Sequence, residues 1–440
     1  MFLRSLSKLV NYAFVALCVL ASIEHVSSQQ PSMVYIINRH GVREPRDTSV
    51  HEGGAQLLNS AYERLYTKGV NIRSHYPTLL SSMYKPSELR VNSSSWERTI
   101  NTAQGIIAGL YASNITMNVP VFSTPWESDY TIYNYDKCPG YDKTWADFQL
   151  TTEWNDKKVK YANLTTYLNG LLQPSKPITL STLFSTWDLY WIQRNRPEAN
   201  VQLPTIDDYT YKVLSEATQW VESMRYSARI SGTYLGSTLL AAIKYRMERY
   251  IAQDAVFGHK MIISSAHYAT QLNVLASLGY TGKVVQTIPD YNSVLVFELY
   301  NGTNGWYIKI NYHDGTWVNA SQMIPISLGS CSEGVSCSYE YGLFWNTYKV
   351  KNLQQWCQDC ESQLSMCVGA NANSTNASSS SSCTNGSTTY VSDIVEISKD
   401  IKAQIGVIVA FCVINLVVHL FVIKLIKSSS NTPFIRGSNV

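Results

Sequence analysis

The sequence predicts an α/β fold: a mixed, mostly parallel sheet with flanking helices, an inserted and mainly helical cap, and a single C-terminal transmembrane helix. Three observations carry this. Two short apolar, β-rich runs, Met33 to Asn38 and Lys260 to Ser265, are each followed by helical spacing, the alternation that builds parallel sheets. The stretch Tyr209 to Ala252 keeps helical periodicity far longer than one crossover needs. Ile405 to Ile423 contains no Asp, Glu, Lys or Arg, and its length is close to the roughly 20 residues a helix needs to cross hydrocarbon.

Taken in order, the chain opens on a basic pair, Arg4 and Lys8, then an apolar run and a small-residue site at Val26-Ser27-Ser28. That pattern is a secretory signal peptide over residues 1–28. Met33 to Asn38 has the length and composition of a buried central strand. Ala55 to Ile72 and Thr99 to Leu110 are spaced as helices. Tyr209 to Ala252, broken near Ser231-Gly232 and preceded by a Trp-rich segment, forms the cap, about 140–255. Lys260 to Ser265 is the second buried strand and Thr270 to Leu278 its following helix. Ser293 to Tyr300 and Gly305 to Tyr312 read as paired strands around an Asn301-Gly-Thr-Asn turn. The folded body ends near residue 362. A Ser/Asn/Thr-rich stalk (363–404), the membrane span (405–423) and a short tail (424–440) with Lys424, Lys427 and Arg436 follow. The basic tail places the C-terminus in the cytosol, so the layout is single-pass type I with a lumenal or extracellular body.

Composition agrees. The 440 residues carry a net charge of +3 and only 15% charged side chains, with 30 Tyr, 11 Trp and 11 Phe. Near-neutral charge excludes a strongly basic nucleic-acid binder, and the aromatic content excludes a disordered chain. Sequons at Asn92, Asn114, Asn163, Asn301, Asn319, Asn373, Asn376 and Asn385 all lie between the two apolar ends. Cys138, Cys331, Cys337, Cys357, Cys360, Cys367 and Cys383 fall there too, and disulfides are expected. Cys357-x-x-Cys360 lacks the second pair that a zinc site needs, and no metal or cofactor is called for.

The chemistry is expected where the first strand runs into Arg39-His40-Gly41-Val42-Arg43-Glu44-Pro45. Ligands of open α/β sheets bind at the carboxyl ends of strands. Two guanidinium forks there suit a phosphate. A histidine between them is held neutral and serves as a nucleophile toward phosphorus. His267, at the end of the second buried strand, converges on the same place.

These motifs resemble the histidine acid phosphatases of the prostatic and lysosomal type, in the phosphoglycerate-mutase-like superfamily. The signature Arg-His-Gly-x-Arg-x-Pro stands intact as Arg39 to Pro45. Gly53 to Leu57, Trp126 to Pro139, Ser264 to Thr270 and Ile288-Pro289-x-Tyr291 match further family segments. The resemblance implies that His40 forms a phosphohistidine, that Arg39 and Arg43 clamp the phosphate, and that His267 adds a donor. It implies disulfides Cys138–Cys360 and Cys331–Cys337 and leaves Cys357, Cys367 and Cys383 unassigned. The family is often dimeric, so a homodimer is an allowed expectation.

The sequence departs from the family pattern twice. The family's proton-donating Asp is Tyr268 here. Counting without gaps from Arg98-Thr99, the third clamp arginine is Asn92, with Arg90 as a nearby substitute. His313-Asp314 reads as a turn. The resulting expectation is an acid phosphatase-like phosphomonoesterase, weakened at the proton-donor and third-arginine positions, acting on a small phosphomonoester or a phosphopeptide. The alternative is a catalytically inactive membrane glycoprotein that keeps the fold and binds phosphorylated ligands.

Overall fold

The computed structural model describes residues 30–45, 55–112, 118–315, 323–348 and 350–372. The expected signal peptide, membrane span and tail, most of the stalk, Cys383, and the sequons at Asn114, Asn319, Asn373, Asn376 and Asn385 lie outside them. Among the described residues no helix is long and apolar enough to cross a membrane.

The first strand, β1 (Met33–Arg39), is buried along its whole length. Helix α1 (Asn59–His75), β2 (Leu89–Ser94), α2 (Glu97–Leu110) and β3 (Val121–Thr124) follow. Five helices come next: α3 (Pro139–Phe148), α4 (Thr152–Lys160), α5 (Ala162–Leu172), α6 (Leu183–Asn195) and α7 (Asp208–Arg225). Helix α8 (Ser237–Ile251) leads back to the sheet through β4 (Met261–Ala266) and α9 (Tyr268–Ser277). A hairpin of β5 (Val294–Gly302) and β6 (Gly305–His313), short strands β7 (Ile324–Pro325) and β8 (Tyr339–Glu340), and helices α10 (Tyr341–Thr347), α11 (Leu353–Cys360) and α12 (Ser365–Ala372) complete the body.

The sheet order is β3-β2-β4-β1-β5-β6-β7, with β8 pairing to β6. It is mixed, but "mostly parallel" needs correction. β3, β2, β4 and β1 are parallel neighbours, whereas β5 joins β1 antiparallel, and β6, β7 and β8 continue antiparallel. The parallel half is the part that needs crossover helices. The antiparallel half is a hairpin closed by a short turn, which needs none. β2 and β3 escaped the periodicity reading because Leu-Arg-Val-Asn-Ser-Ser and Val-Phe-Ser-Thr are too polar to look like buried strands.

Each face of β1 feeds a separate core. Met33, Tyr35 and Ile37 pack with Leu240 and Ile243 of α8 and with Phe297 and Ile308 of the hairpin. Val34 and Ile36 pack with Leu65 and Ile72 of α1 and with Ile106 of α2. Each such fully buried side chain contributes roughly 1.5–3 kcal/mol. Helices α1 and α2 meet backbone to backbone: a Cβ on Gly69 would strike the Ile106 carbonyl, and one on Gly109 the Tyr66 carbonyl. This contact fixes where the first turn of α2 sits against the end of β1.

The inserted helices have a core of their own, which includes Trp154, Leu168, Trp187, Tyr190, Leu214 and Val221. Trp356, Cys357, Cys360 and Cys367 from the end of the described chain complete it. Cys138 is bonded to Cys360, and Cys331 is brought to Cys337. Cys357, unassigned from sequence, pairs with Cys367. That pairing lies on α11 and α12, so the first residues of the expected stalk are helical and belong to the folded body. Helix α8 packs on the sheet rather than on the cap core.

Candidate active site

The segment after β1 is stitched into the sheet from three sides. The His40 backbone N–H donates to Ala266 O at the end of β4 (2.9 Å), and its carbonyl accepts from Asn292 N–H (3.3 Å). Gly41 N–H donates to Thr102 Oγ1 on α2 (2.8 Å). A Cβ on Gly41 would sit 3.2–3.3 Å from Leu57, Ala61 and Leu65, so this turn presses against α1. The His40 Nδ1–H donates to Gly41 O (2.8 Å), which fixes the tautomer and leaves the lone pair on Nε2.

The arginines are buried around this ring. Arg39 donates through Nη1 to the Pro289 carbonyl. Its guanidinium lies 3.8 Å from the Tyr291 ring centroid and 5.2 Å from that of Tyr268. Arg43 Nη2 donates to Asp188 Oδ2 on α6 (2.8 Å), and the Tyr291 hydroxyl donates to Asp188 Oδ1 (2.7 Å). The Nε–H groups of Arg39 and Arg43 are buried without a hydrogen-bond partner, two donors that an anion would satisfy. Arg98, from the first turn of α2, rests its guanidinium 4.4 Å from the Trp96 ring and lines the same cavity.

His267 caps the start of α9, with Nε2 3.0 Å from Ser94 Oγ at the end of β2. Its ring meets the His40 ring edge-on at 5.4 Å. Burial, and then the charges of Arg98, His267, Arg39 and Arg43, hold the His40 pKa well below the ordinary histidine value. A neutral imidazole facing buried guanidiniums has the chemistry to act as a nucleophile toward a bound anion.

The cavity in front of His40 measures about 650 Å³. Beyond Arg39, Arg43 and Arg98 its wall comes from the cap, with Trp145, Phe184 and Arg225, and from Tyr135 and Tyr268 on either side of it in the chain. Tyr268 stacks on Phe184 at 5.0 Å, and its hydroxyl donates to Glu222 Oε2 (2.7 Å) on α7. The other oxygen of Glu222 lies 3.4 Å from Arg225 Nη1. Burial, and then Glu222, push the Tyr268 phenol well above its usual pKa. Asp136 and Asp142 also line the wall, and burial followed by the charge of Asp136 raises the Asp142 carboxyl.

The structure thus brings Arg39, His40, Arg43, His267 and Tyr268 to one pocket and leaves Asn92 outside it. Asn92 lies inside β2, its Oδ1 accepting from Arg90 Nε (3.0 Å), and both side chains line a different cavity. Alternation along β2 keeps the two on one face, but that face looks away from His40. The arginine that joins Arg39 and Arg43 beside His40 is Arg98, in the first turn of α2 and the residue from which the ungapped count started. A guanidinium on a long stem crosses the distance that the count assigned to a strand position. Asp188 and Glu222 carried no signal in the sequence, because they are 145 and 46 residues from the groups they bind. Of the sequons, Asn163 and Asn301 are exposed, whereas Asn92 is partly buried between β3 and β4. His313 ends β6 fully buried and outside the pocket.

Residues 46–313 match the profile of the histidine phosphatase superfamily (branch 2), and the Arg39–Pro45 motif directly precedes that span. The chain belongs to this superfamily. This histidine phosphatase is 23% identical over 384 residues to the lysosomal acid phosphatase of Xenopus laevis, covering 79% of the chain and 83% of the relative. It is 24% identical over 344 residues to human prostatic acid phosphatase, covering 72% and 84%. The fold is similar to the crystal structure of Klebsiella sp. ASR1 phytase, with a TM-score of 0.56 at 14% identity over 77% of the chain and 98% of the phytase.

Proposed function

We propose that this histidine phosphatase is an acid phosphatase-like phosphomonoester hydrolase that works through a phosphohistidine at His40. The observation that carries the reading is the neutral His40 imidazole, its Nε2 lone pair left open, among the buried guanidiniums of Arg39, Arg43 and Arg98. Nε2 attacks phosphorus, and the ester oxygen leaves with its bonding pair. Arg39 Nε–H, Arg43 Nε–H and Arg98 stabilise the charge on the phosphoryl oxygens. A water oxygen then attacks the phosphohistidine, releasing inorganic phosphate and restoring the imidazole.

The leaving oxygen needs a proton, and here the site is weak. The Tyr268 proton is directed at Glu222, and the phenol is a poorer acid than a free tyrosine. Esters with good leaving groups are therefore the favoured substrates. A small phosphomonoester fits the cavity. The names of the lysosomal relatives and the expected signal and span favour a lumenal or extracellular site of action. The second reading, a phosphate-binding protein without turnover, draws on the same Tyr268–Glu222 bond.

The deciding experiment is hydrolysis of p-nitrophenyl phosphate by the purified protein across pH, against His40→Ala. Turnover that the variant abolishes is expected. Equal rates for the two proteins would overturn the phosphatase reading.

A further inference from the structure

A second cavity, of about 310 Å³, opens between α8 and the sheet where β1, β2, β3 and β4 lie side by side. The turn at residues 129–133 separates it from the catalytic pocket, giving Thr131 and Ile132 to one and Tyr133 to the other. Asp129 holds that turn by accepting from the backbone N–H groups of Thr131, Ile132 and Tyr133 at 2.9–3.1 Å.

Arg90 and Arg246 both line the cavity, and among the described residues no carboxylate lines it. Neither arginine has an ion-pair partner among the described residues. Arg90 lies 4.0 Å over the Phe122 ring and uses its Nε–H on Asn92 Oδ1. Arg246 Nη1 is buried without a hydrogen-bond partner. Burial, and then the charge of Arg246, pull the Arg90 pKa down, so the two guanidiniums sense each other. The same two charges act on His259 after the effects of burial and a backbone hydrogen bond. Hydroxyls also line it: Tyr35 and Ser264 are bonded to each other at 2.8 Å, Ser93 donates to Ser94 O and Thr131 to Asp129 Oδ1.

Two like charges facing one partly buried cavity repel, and a buried guanidinium N–H without an acceptor costs free energy. An oxyanion relieves both. It accepts from the guanidinium N–H groups, and the cavity is at the small end of ligand sites. We propose that Arg90 and Arg246 form a second, non-catalytic receptor for a tetrahedral oxyanion, namely phosphate or a phosphoryl group. This does not depend on turnover at His40.

The test is calorimetric titration of the full-length protein with inorganic phosphate. Two sites per chain are expected. Arg246→Gln should weaken one of them at least about tenfold and leave hydrolysis of p-nitrophenyl phosphate unchanged. Arg39→Ala should remove the other. If Arg246→Gln does not fold, Arg90→Gln serves the same purpose. Crystals soaked in tungstate should show the metal between Arg90 and Arg246. Binding of phosphate but not phenylphosphonate at this site identifies free phosphate as the occupant. Binding of both identifies a phosphoryl group on a larger molecule. No phosphate binding, a single site that Arg39→Ala abolishes, or a second site untouched by both arginine variants would overturn the proposal.

Discussion

At the sheet end of the catalytic pocket, His40 is fixed in one tautomer by Gly41 O, and the N–H donors around it face the place an anion would take. At the cap end, the hydroxyl of Tyr268 is engaged with Glu222. The first end comes from strand termini and the start of α2, which the sheet positions. The second joins Tyr268, at the start of α9 just beyond β4, to Glu222 of the helices inserted between β3 and β4. The difference separates two tasks that enzymes of this chemistry must combine. Capturing a phosphoryl group needs positive charge and a nucleophile, and the sheet end has both. Expelling an alkoxide needs a proton, and the Tyr268 hydroxyl is already bonded to Glu222.

The largest expected effect is at the sheet end. His40→Ala should lower kcat on p-nitrophenyl phosphate by roughly 10⁴-fold or more, since no other nucleophile replaces it. Stopped-flow or endpoint assays of the folded variant check this, and residual activity near wild type would break the comparison.

Next is the third arginine. Arg98→Met should cost about 10²–10³-fold in kcat/KM, and Asn92→Ala only about threefold or less. The reverse order would return the clamp to β2 and undo the assignment of Arg98.

The cap end is probed by leaving group. Aryl phosphates should exceed alkyl phosphates by about 10²-fold, the share a general acid usually supplies. Tyr268→Asp combined with Glu222→Gln should narrow that ratio at acid pH by about tenfold. Asp142→Asn should lower alkyl turnover less than this. A ratio near one in the wild type would mean that the cap end already delivers a proton.

The smallest effect concerns stability. The folded site keeps His40 neutral below the ordinary histidine range, whereas the unfolded chain binds that proton near pH 6.5. The unfolded state therefore takes up more protons on acidification, and this contribution to stability is lost as the pH falls below about 6.5. His40→Gln should show a shallower drop in Tm between neutral and acid pH. An unchanged slope would mean that His40 titrates normally.

How much was readable from sequence follows the same division. Arg39, His40 and Arg43 sit within five positions of a buried strand, so their convergence is local. His267 was reachable by the same strand-end argument. Arg98 was hidden because chain counting treats a side chain as sitting where its Cα does, and here a helix turn and a long stem carry it elsewhere. The partners of the cap end were illegible for another reason. Glu222 meets Tyr268, and Asp188 meets Arg43, only after helices have packed, and helical periodicity reports which face is buried without saying against what. In the fold, β2 was missed because Arg90 and Asn92 face a polar cavity instead of a core, and β3 because its four residues are mostly exposed.

The Cys138–Cys360 bond spans 222 residues and joins the start of the inserted helices to the last part of the folded body. During synthesis Cys138 emerges long before its partner exists. At about 5–20 residues per second the ribosome needs roughly 10–45 seconds to cover that interval. Throughout it the aromatic core of the cap lacks Trp356, and Cys138 carries a thiol open to the wrong partner. The wall of the pocket is thus the last part of the body to be locked, and chaperone dependence should fall on the cap before it falls on the sheet.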